Sequence, residues 1–125
     1  MKQNFLGIKW KYDITINEVE IYENYEHLKE RLKSRYDYEL STWIYWNVIK
    51  NQIILNFLEN DYWSKCSSKQ PYQKMFTVHL TESNIWISGT IQNDLEDKVK
   101  RIYFSTFLPE KPRKFEGGLN VSIDF

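Results

Sequence analysis

The sequence predicts an α+β fold, a mostly antiparallel twisted sheet of six to eight strands built from hairpins, with one main helix packed on it. Three observations predict this fold: segments with the pattern of hairpins, one segment with helical spacing, and many aromatic residues. The chain of 125 residues contains seven Phe, five Trp and nine Tyr, against four Gly and three Pro. Its length suits a single domain that covers residues 1–125.

The first predicted hairpin includes residues 8–16, in which apolar and polar side chains alternate as they do in a half-buried strand. A turn at Asn17 and Glu18 places Val19 and Ile21 on the same face as the apolar residues of the first arm. A helix that begins at Asn17 is the alternative, because a capping box is possible there. We prefer the hairpin, since the helical period begins only at Asn24.

The main helix is predicted over residues 24–35. Tyr25, Leu28 and Leu32 fall on one stripe of a helix, and most of the charged residues lie outside that stripe. Asn24 is a suitable N-cap residue. This segment is expected to cover one face of the sheet.

The second predicted hairpin spans residues 38–58, with a two-residue turn at Lys50 and Asn51. This register sets Trp46 opposite Leu55. Both faces of the two strands are then partly apolar, which indicates central strands that are covered on two sides.

Residues 59–74 are polar and rich in turn-forming residues, which predicts a long loop of a kind that is often functional. The third predicted hairpin follows, and its turn at Glu82 and Ser83 sets His79 opposite Trp86. Residues 93–103 fit either a helix or a strand, and we prefer a turn followed by a strand. Alternation over residues 119–125 predicts a final strand.

Composition narrows the classes of function. Seventeen basic and seventeen acidic residues give a net charge of zero, which disfavours direct nucleic-acid binding. The single cysteine, Cys66, excludes an intramolecular disulfide and fits a reducing compartment. No apolar run approaches the ~20 residues of a membrane span, and the N-terminus lacks a signal-peptide pattern. These features predict a cytoplasmic protein that does not bind membranes.

The residues with catalytic potential are few and scattered. His27 lies early in the predicted helix, and His79 is expected to stack on Trp86. One Cys and two His at distant positions match no zinc spacing, and Gly117 and Gly118 lack the lysine and hydroxyl sequel of a phosphate loop. We therefore expect no catalytic residue, no metal site and no cofactor.

The abundance of aromatic residues is the best pointer to function. Strand alternation and hairpin register assign to the core Trp10, Tyr12, Trp46, Phe57, Phe76 and Phe125. Two other segments combine aromatic residues with carboxylates, and the second hairpin would bring them to one end of the sheet. Aromatic anchors beside carboxylates are typical of surfaces that bind a basic enzyme. The predicted partner-binding residues are Tyr36, Asp37, Tyr38, Glu39, Glu59, Asp61, Tyr62 and Trp63.

The predicted elements have a distinctive order along the chain. A first strand that contains a Trp is followed by a second strand at residues 19–22, which enters the helix of residues 24–32, and an aromatic antiparallel sheet comes after the helix. In this arrangement the chain resembles the small cytoplasmic immunity proteins of bacterial contact-dependent growth inhibition and other polymorphic toxin systems. The resemblance implies tight, stoichiometric neutralisation of a cognate protein toxin, often a nuclease, without catalysis. It carries over no individual functional residue.

Two other functions stay open at this point. The first is a ligand-binding or enzymatic α+β domain, with an aromatic pocket between helix and sheet that is lined by Trp43, Tyr45 and Trp86. The second is a phage or mobile-element protein that acts as a homo-oligomer.

Overall fold

The computed structural model describes residues 19–36, 43–109 and 118–125, except for the side chains of residues 43–45, and these residues form an α+β fold. The two helices are α1 (Tyr25–Tyr36) and α2 (Trp43–Glu59). A short 3-10 helix covers Tyr62–Lys65. The five strands are β1 (Val19–Glu23), β2 (Gln73–Leu80), β3 (Ile85–Asp94), β4 (Val99–Leu108) and β5 (Leu119–Ile123).

The described strands form one mixed sheet with the order β1-β4-β3-β2-β5. β3 pairs antiparallel with both β2 and β4, whereas the two outer strands, β1 and β5, run parallel to their neighbours. The prediction of a mostly antiparallel sheet of six to eight strands is therefore wrong in both respects for the described residues. Hairpin patterns predict only pairings between consecutive strands, whereas β1 and β5 pair with strands that do not adjoin them in sequence.

The helix α1 is confirmed. The backbone N–H of His27 donates to the Asn24 side-chain oxygen at 3.1 Å, so that Asn24 caps the helix as expected. Leu28 and Leu32 are buried in the core. The alternative helix from Asn17 is wrong, because the residues just before Asn24 form β1. The other arm of the first predicted hairpin, residues 8–16, and its turn lie outside the described residues.

The second predicted hairpin is wrong, because residues 43–59 form the helix α2. The buried side chains of α2 recur at the intervals of one helical face: Trp46, Ile49, Lys50, Ile53, Ile54 and Phe57. About two thirds of the positions in this segment are apolar or aromatic, and they lie on both faces of a strand as well as on one face of a helix, so the segment also fits a strand that is covered on two sides. Trp46 and Phe57 are core residues as predicted, but they reach the core from a helix.

The third hairpin is confirmed with its register, which pairs Leu80 with Ile85 and His79 with Trp86. The preferred interpretation of residues 93–103 is confirmed as well, since a turn at residues 95–98 leads into β4. The final strand is present as β5. Phe76 is buried and Phe125 is half-buried against the core, whereas Trp10 and Tyr12 lie outside the described residues.

The core lies between the helices and one face of the sheet. The Trp46 ring contacts Phe104 and Phe107, at centroid distances of 5.5 Å and 5.6 Å, and Phe57 contacts Phe76 at 5.1 Å. Gly89 gives the Phe76 ring its space, since a Cβ there would lie 2.5 Å from the ring.

We call the opposite side of the sheet the outer face. By strand alternation it carries Glu20, Tyr22, His79, Trp86, Gln92, Asp94, Arg101 and Tyr103. Within the described residues, neither helix is long and apolar enough to cross a membrane.

Candidate functional site

The described members of the predicted partner-binding set do not all come together as expected. Tyr36 ends α1, where its hydroxyl donates to the Leu108 carbonyl and accepts the Trp86 N–H at 3.1 Å. The Trp63 indole instead donates to the Arg101 carbonyl at 3.0 Å. Leu108 and Arg101 lie seven residues apart on β4, or about 23 Å along a strand. The predicted proximity is wrong because α2 carries the chain about 24 Å along its axis without reversing.

Trp63 is buried in the core, with only 1% of its surface exposed. It and Tyr62, which is half-buried, both pack against Phe57. Glu59 and Asp61 are exposed beside the 3-10 helix. The other predicted residues, Asp37, Tyr38 and Glu39, lie outside the described residues. Among the described members of the predicted partner-binding set, the residues that lie near one another and also have accessible surface are therefore Glu59, Asp61 and Tyr62.

The structure assembles two polar clusters that the sequence did not predict, one on each side of β1. Glu23 points towards the core and Glu20 lies on the outer face, because they stand three residues apart on a strand. We call the two the core cluster and the Arg101 cluster.

The core cluster joins β1 to α2. The Glu23 carboxylate accepts a hydrogen bond from the Trp46 indole at 2.8 Å and another from the Lys50 ammonium. The Glu23 and Lys50 side chains are both fully buried. Burial lowers the pKa of Lys50 to about 7, although the Glu23 carboxylate opposes this shift. Since neither side chain has exposed surface, this cluster belongs to the core and does not contact a ligand.

The Arg101 cluster joins three strands on the outer face. The Arg101 guanidinium donates to Glu20 at 3.0 Å, to Asp94 at 2.7 Å and to Gln92 at 3.0 Å. The exposed Asp97 carboxylate lies 3.6 Å from the same group. Only 12% of the Arg101 side chain is exposed, so its orientation is fixed by these partners.

Two tyrosines extend the Arg101 cluster. The Tyr22 hydroxyl donates to Glu20 at 3.0 Å and the Tyr103 hydroxyl donates to Gln92 at 3.3 Å. Their rings stack, with centroids 4.9 Å apart and planes 17° from parallel. Burial and the bond to Glu20 raise the pKa of Tyr22 to about 12, and burial also raises the pKa of Tyr103. Both hydroxyls are therefore neutral donors at physiological pH.

The charged members of the Arg101 cluster stabilise one another. Burial disfavours the charged guanidinium, but its bonds to Asp94 and Glu20 outweigh this and raise the pKa of Arg101. The backbone N–H of Asp97 and the Arg101 guanidinium lower the pKa of Asp94. Both shifts favour the charged forms of Asp94 and Arg101.

A second aromatic pair lies on the outer face near the β2–β3 turn. The rings of His79 and Trp86 stack at 4.0 Å and 8°, which confirms the predicted stacking. The His79 ring also hydrogen-bonds to Asn84 at 2.8 Å. Trp86 thus lies across the sheet from α2, so it cannot line the predicted pocket between helix and sheet. The side chains of Trp43 and Tyr45 are not among those that the structure describes.

The other candidates for chemistry are engaged in packing. The Cys66 thiol is half-buried and donates to the Ile91 carbonyl at 3.7 Å. Burial raises the pKa of Cys66 to about 11, so at neutral pH the thiol carries almost none of the charge of a reactive nucleophile. Among the described residues there is no group of three or more His, Cys, Asp or Glu that could hold a metal ion.

Sequence reasoning missed the Arg101 cluster because its members are distant along the chain. Glu20 and Arg101 are 81 residues apart, and they meet only because β1 runs parallel to β4. The sequence does contain one local signal of a polar face in this region. Polar residues alternate with apolar ones in β3 and β4, which marks one face of these strands as polar. Comparison with known protein families, curated proteins and solved structures found no match for this chain.

Proposed function

We propose that this protein is a non-catalytic immunity-type protein that acts in the cytoplasm, where it binds a cognate protein toxin and neutralises it by covering the active site. The proposed binding surface is the outer face of the sheet around the Arg101 cluster, with the exposed Glu59 and Asp61 at the same end of the sheet. The observation that carries this choice is the stacked pair of Tyr22 and Tyr103 beside the carboxylates that hold Arg101.

The residue types of this surface favour protein binding. Tyrosine, tryptophan and arginine are the residues that contribute most to interfaces, and the outer face presents Tyr22, Tyr103, Trp86 and Arg101, each partly exposed. Ring stacking and hydrogen bonds hold these side chains in place before a partner arrives. Little side-chain entropy would then be lost on binding, which supports tight association.

The charge of the cluster favours a basic partner. Three carboxylates, those of Glu20, Asp94 and Asp97, surround the single guanidinium of Arg101, so that these four groups have a formal charge of −2. Carboxylates beside aromatic anchors match the basic active site of a nuclease, where they would take the place of phosphate groups. The resemblance to immunity proteins and this surface chemistry thus agree.

The test is a protection assay with candidate secreted toxins encoded next to the gene for this protein. We expect co-expression of this protein to restore growth and the purified pair to form a one-to-one complex. Tyr103→Ala removes one of the two stacked rings and should weaken binding by a factor of about 30, the effect of losing a hot-spot residue. Asn120→Ala is the matched control, since Asn120 is exposed on the same face of the distant strand β5.

Two outcomes would contradict the proposal in different ways. If the wild-type protein neither binds the toxin nor protects cells, the immunity function is wrong. If the Tyr103→Ala variant is folded, as judged by an unchanged melting profile, and binds as the wild type does, the function stands but the choice of surface is wrong.

A further inference from the structure

The segment that forms α2 has the composition of an aggregation-prone β-segment. Between residues 43 and 58, Lys50 is the only charged residue, and there is neither Pro nor Gly. Lys50 divides the segment into two uncharged stretches, of seven residues before it and eight after it. Segments of six or seven residues with high β-propensity, low charge and no Pro form intermolecular β-structure readily when they are exposed.

The segment also fits a pair of strands, as the predicted hairpin of residues 38–58 shows. A turn at Lys50 and Asn51 would pair the two halves as a hairpin, and in that arrangement the lysine would be solvated. The native helix instead places Lys50 on the buried stripe, between Ile49 and Ile53. Both secondary structures are thus compatible with the local pattern.

Native stability gives no reason for a lysine at this position. The Lys50 side chain is fully buried, and it requires the Glu23 carboxylate beside it. Replacing a buried ion pair with apolar or neutral groups of similar volume is commonly neutral or stabilising, because two charges no longer have to leave water. A role before the native state has formed would explain why the charge is there.

We propose that Lys50 is a gatekeeper charge, which keeps the α2 segment out of intermolecular β-structure until α2 has docked, and that Glu23 allows this charge to be buried in the folded protein. The unfolded or partly folded chain exposes the segment with its one charge solvated. Docking against β1 then pairs the ammonium with Glu23, while the Trp46 indole donates to the same carboxylate. This inference does not depend on the proposed function.

The experiment compares equilibrium stability with refolding yield in the full-length chain. The double variant Glu23→Gln and Lys50→Met removes both charges together. We expect its urea midpoint to equal or exceed that of the wild type, whereas its soluble yield after dilution from urea at micromolar concentration falls several-fold. The material lost should be rich in β-structure by circular dichroism and should bind thioflavin T.

Two triple variants provide matched controls for charge. Gln52 is exposed on α2, so Gln52→Lys in the double-variant background returns a positive charge to the segment without burying it. We expect this change to restore the soluble yield. Asn120→Lys adds the same charge on β5, outside the segment, and should not restore it.

Three results would overturn the inference. The double variant could refold as completely as the wild type, in which case the segment needs no gatekeeper. It could lose the folded state at equilibrium, in which case the ion pair is a requirement of native stability. The two triple variants could behave alike, in which case net charge and not its position controls the yield.

Discussion

The two glutamates of β1 meet opposite environments although they stand three residues apart on one strand. Glu23 faces the core, where it and Lys50 are both fully buried. Glu20 faces outwards, where 9% of its side chain and 12% of the Arg101 side chain remain exposed. Among the described residues, the core side pairs the Glu23 carboxylate with the Lys50 ammonium. On the outer side, three carboxylates of the described part of the chain lie around the Arg101 guanidinium.

The choice of cation follows from this difference. The planar guanidinium of Arg101 donates in several directions at once and satisfies Glu20, Gln92 and Asp94 together. Lys50 is a compact charge that fits a closed site with one carboxylate. Burial lowers the pKa of Lys50 to about 7, whereas the partners of Arg101 raise the pKa of that group. The comparison teaches that one strand can bury a charge pair in the core on one face and carry the proposed binding surface on the other.

The largest expected effect is on the core side. Glu23→Gln removes the counter-charge of Lys50, so the buried side chain must keep an uncompensated charge or give up its proton, and we expect the free energy of unfolding to fall by about 3–5 kcal/mol. Urea denaturation followed by circular dichroism measures this change. A loss no greater than that of the matched substitution on the outer face would remove the distinction between the two clusters.

That matched substitution is Glu20→Gln, on the same strand. Arg101 keeps its bonds to Asp94 and Gln92, and the site is partly hydrated, so we expect a loss of only about 1 kcal/mol. The same denaturation experiment gives the value. A loss as large as that of Glu23→Gln would show that the outer cluster contributes to the core as strongly as the buried pair does.

Alkaline pH should affect the outer side through Tyr22. Its pKa in the folded protein is raised to about 12 from 10.0. The folded state therefore binds the phenolic proton more tightly than the unfolded chain, and the resulting stability is present below pH 10 and lost as the pH rises to 12. Tyr22→Phe should lose less stability than the wild type between pH 10 and pH 12. Denaturation at several alkaline pH values measures this, and equal losses in both proteins would contradict it.

The last prediction concerns the reactivity of the Cys66 thiol, which lies on the core side of β3. Its pKa is raised from 9.0 to about 11, so alkylation at pH 8 should be roughly 100-fold slower than that of a free thiol, because the thiolate reacts. Iodoacetamide labelling followed by mass spectrometry gives the rate. In denaturant the rate should return to that of a free thiol, and fast labelling of the native protein would show that the thiol is not protected.

Local features were predictable where neighbouring residues decide them. Asn24 at the start of α1 and the pairing of Leu80 with Ile85 were predicted correctly, because a cap and a hairpin turn involve residues close in sequence. The stacking of His79 on Trp86 followed from that register. The candidate site was not predictable in the same way, since Glu20 and Arg101 meet across 81 positions.

The error over residues 43–59 has a specific cause. Trp46, Ile53 and Phe57 satisfy the helical period, but the apolar residues between them also satisfy the strand period. A turn at Lys50 and Asn51 paired apolar residues of the two arms in a regular register, and the buried position of Lys50 is one that lysine rarely takes. Its burial depends on Glu23, which comes from a strand 27 residues earlier, and no local pattern includes that partner.

The sequence by itself determined the α+β class, the helix α1, the hairpin of β2 and β3, and the aromatic core residues Trp46, Phe57 and Phe76. Local periodicity, capping and turn chemistry act over a few residues and are enough for these features. Only the tertiary structure decided that α2 is a helix, that β1 and β5 run parallel to their neighbours, and that Glu20 and Glu23 belong to different clusters. The physical reason is that burying a charge or choosing a parallel strand partner depends on groups brought together from distant parts of the chain.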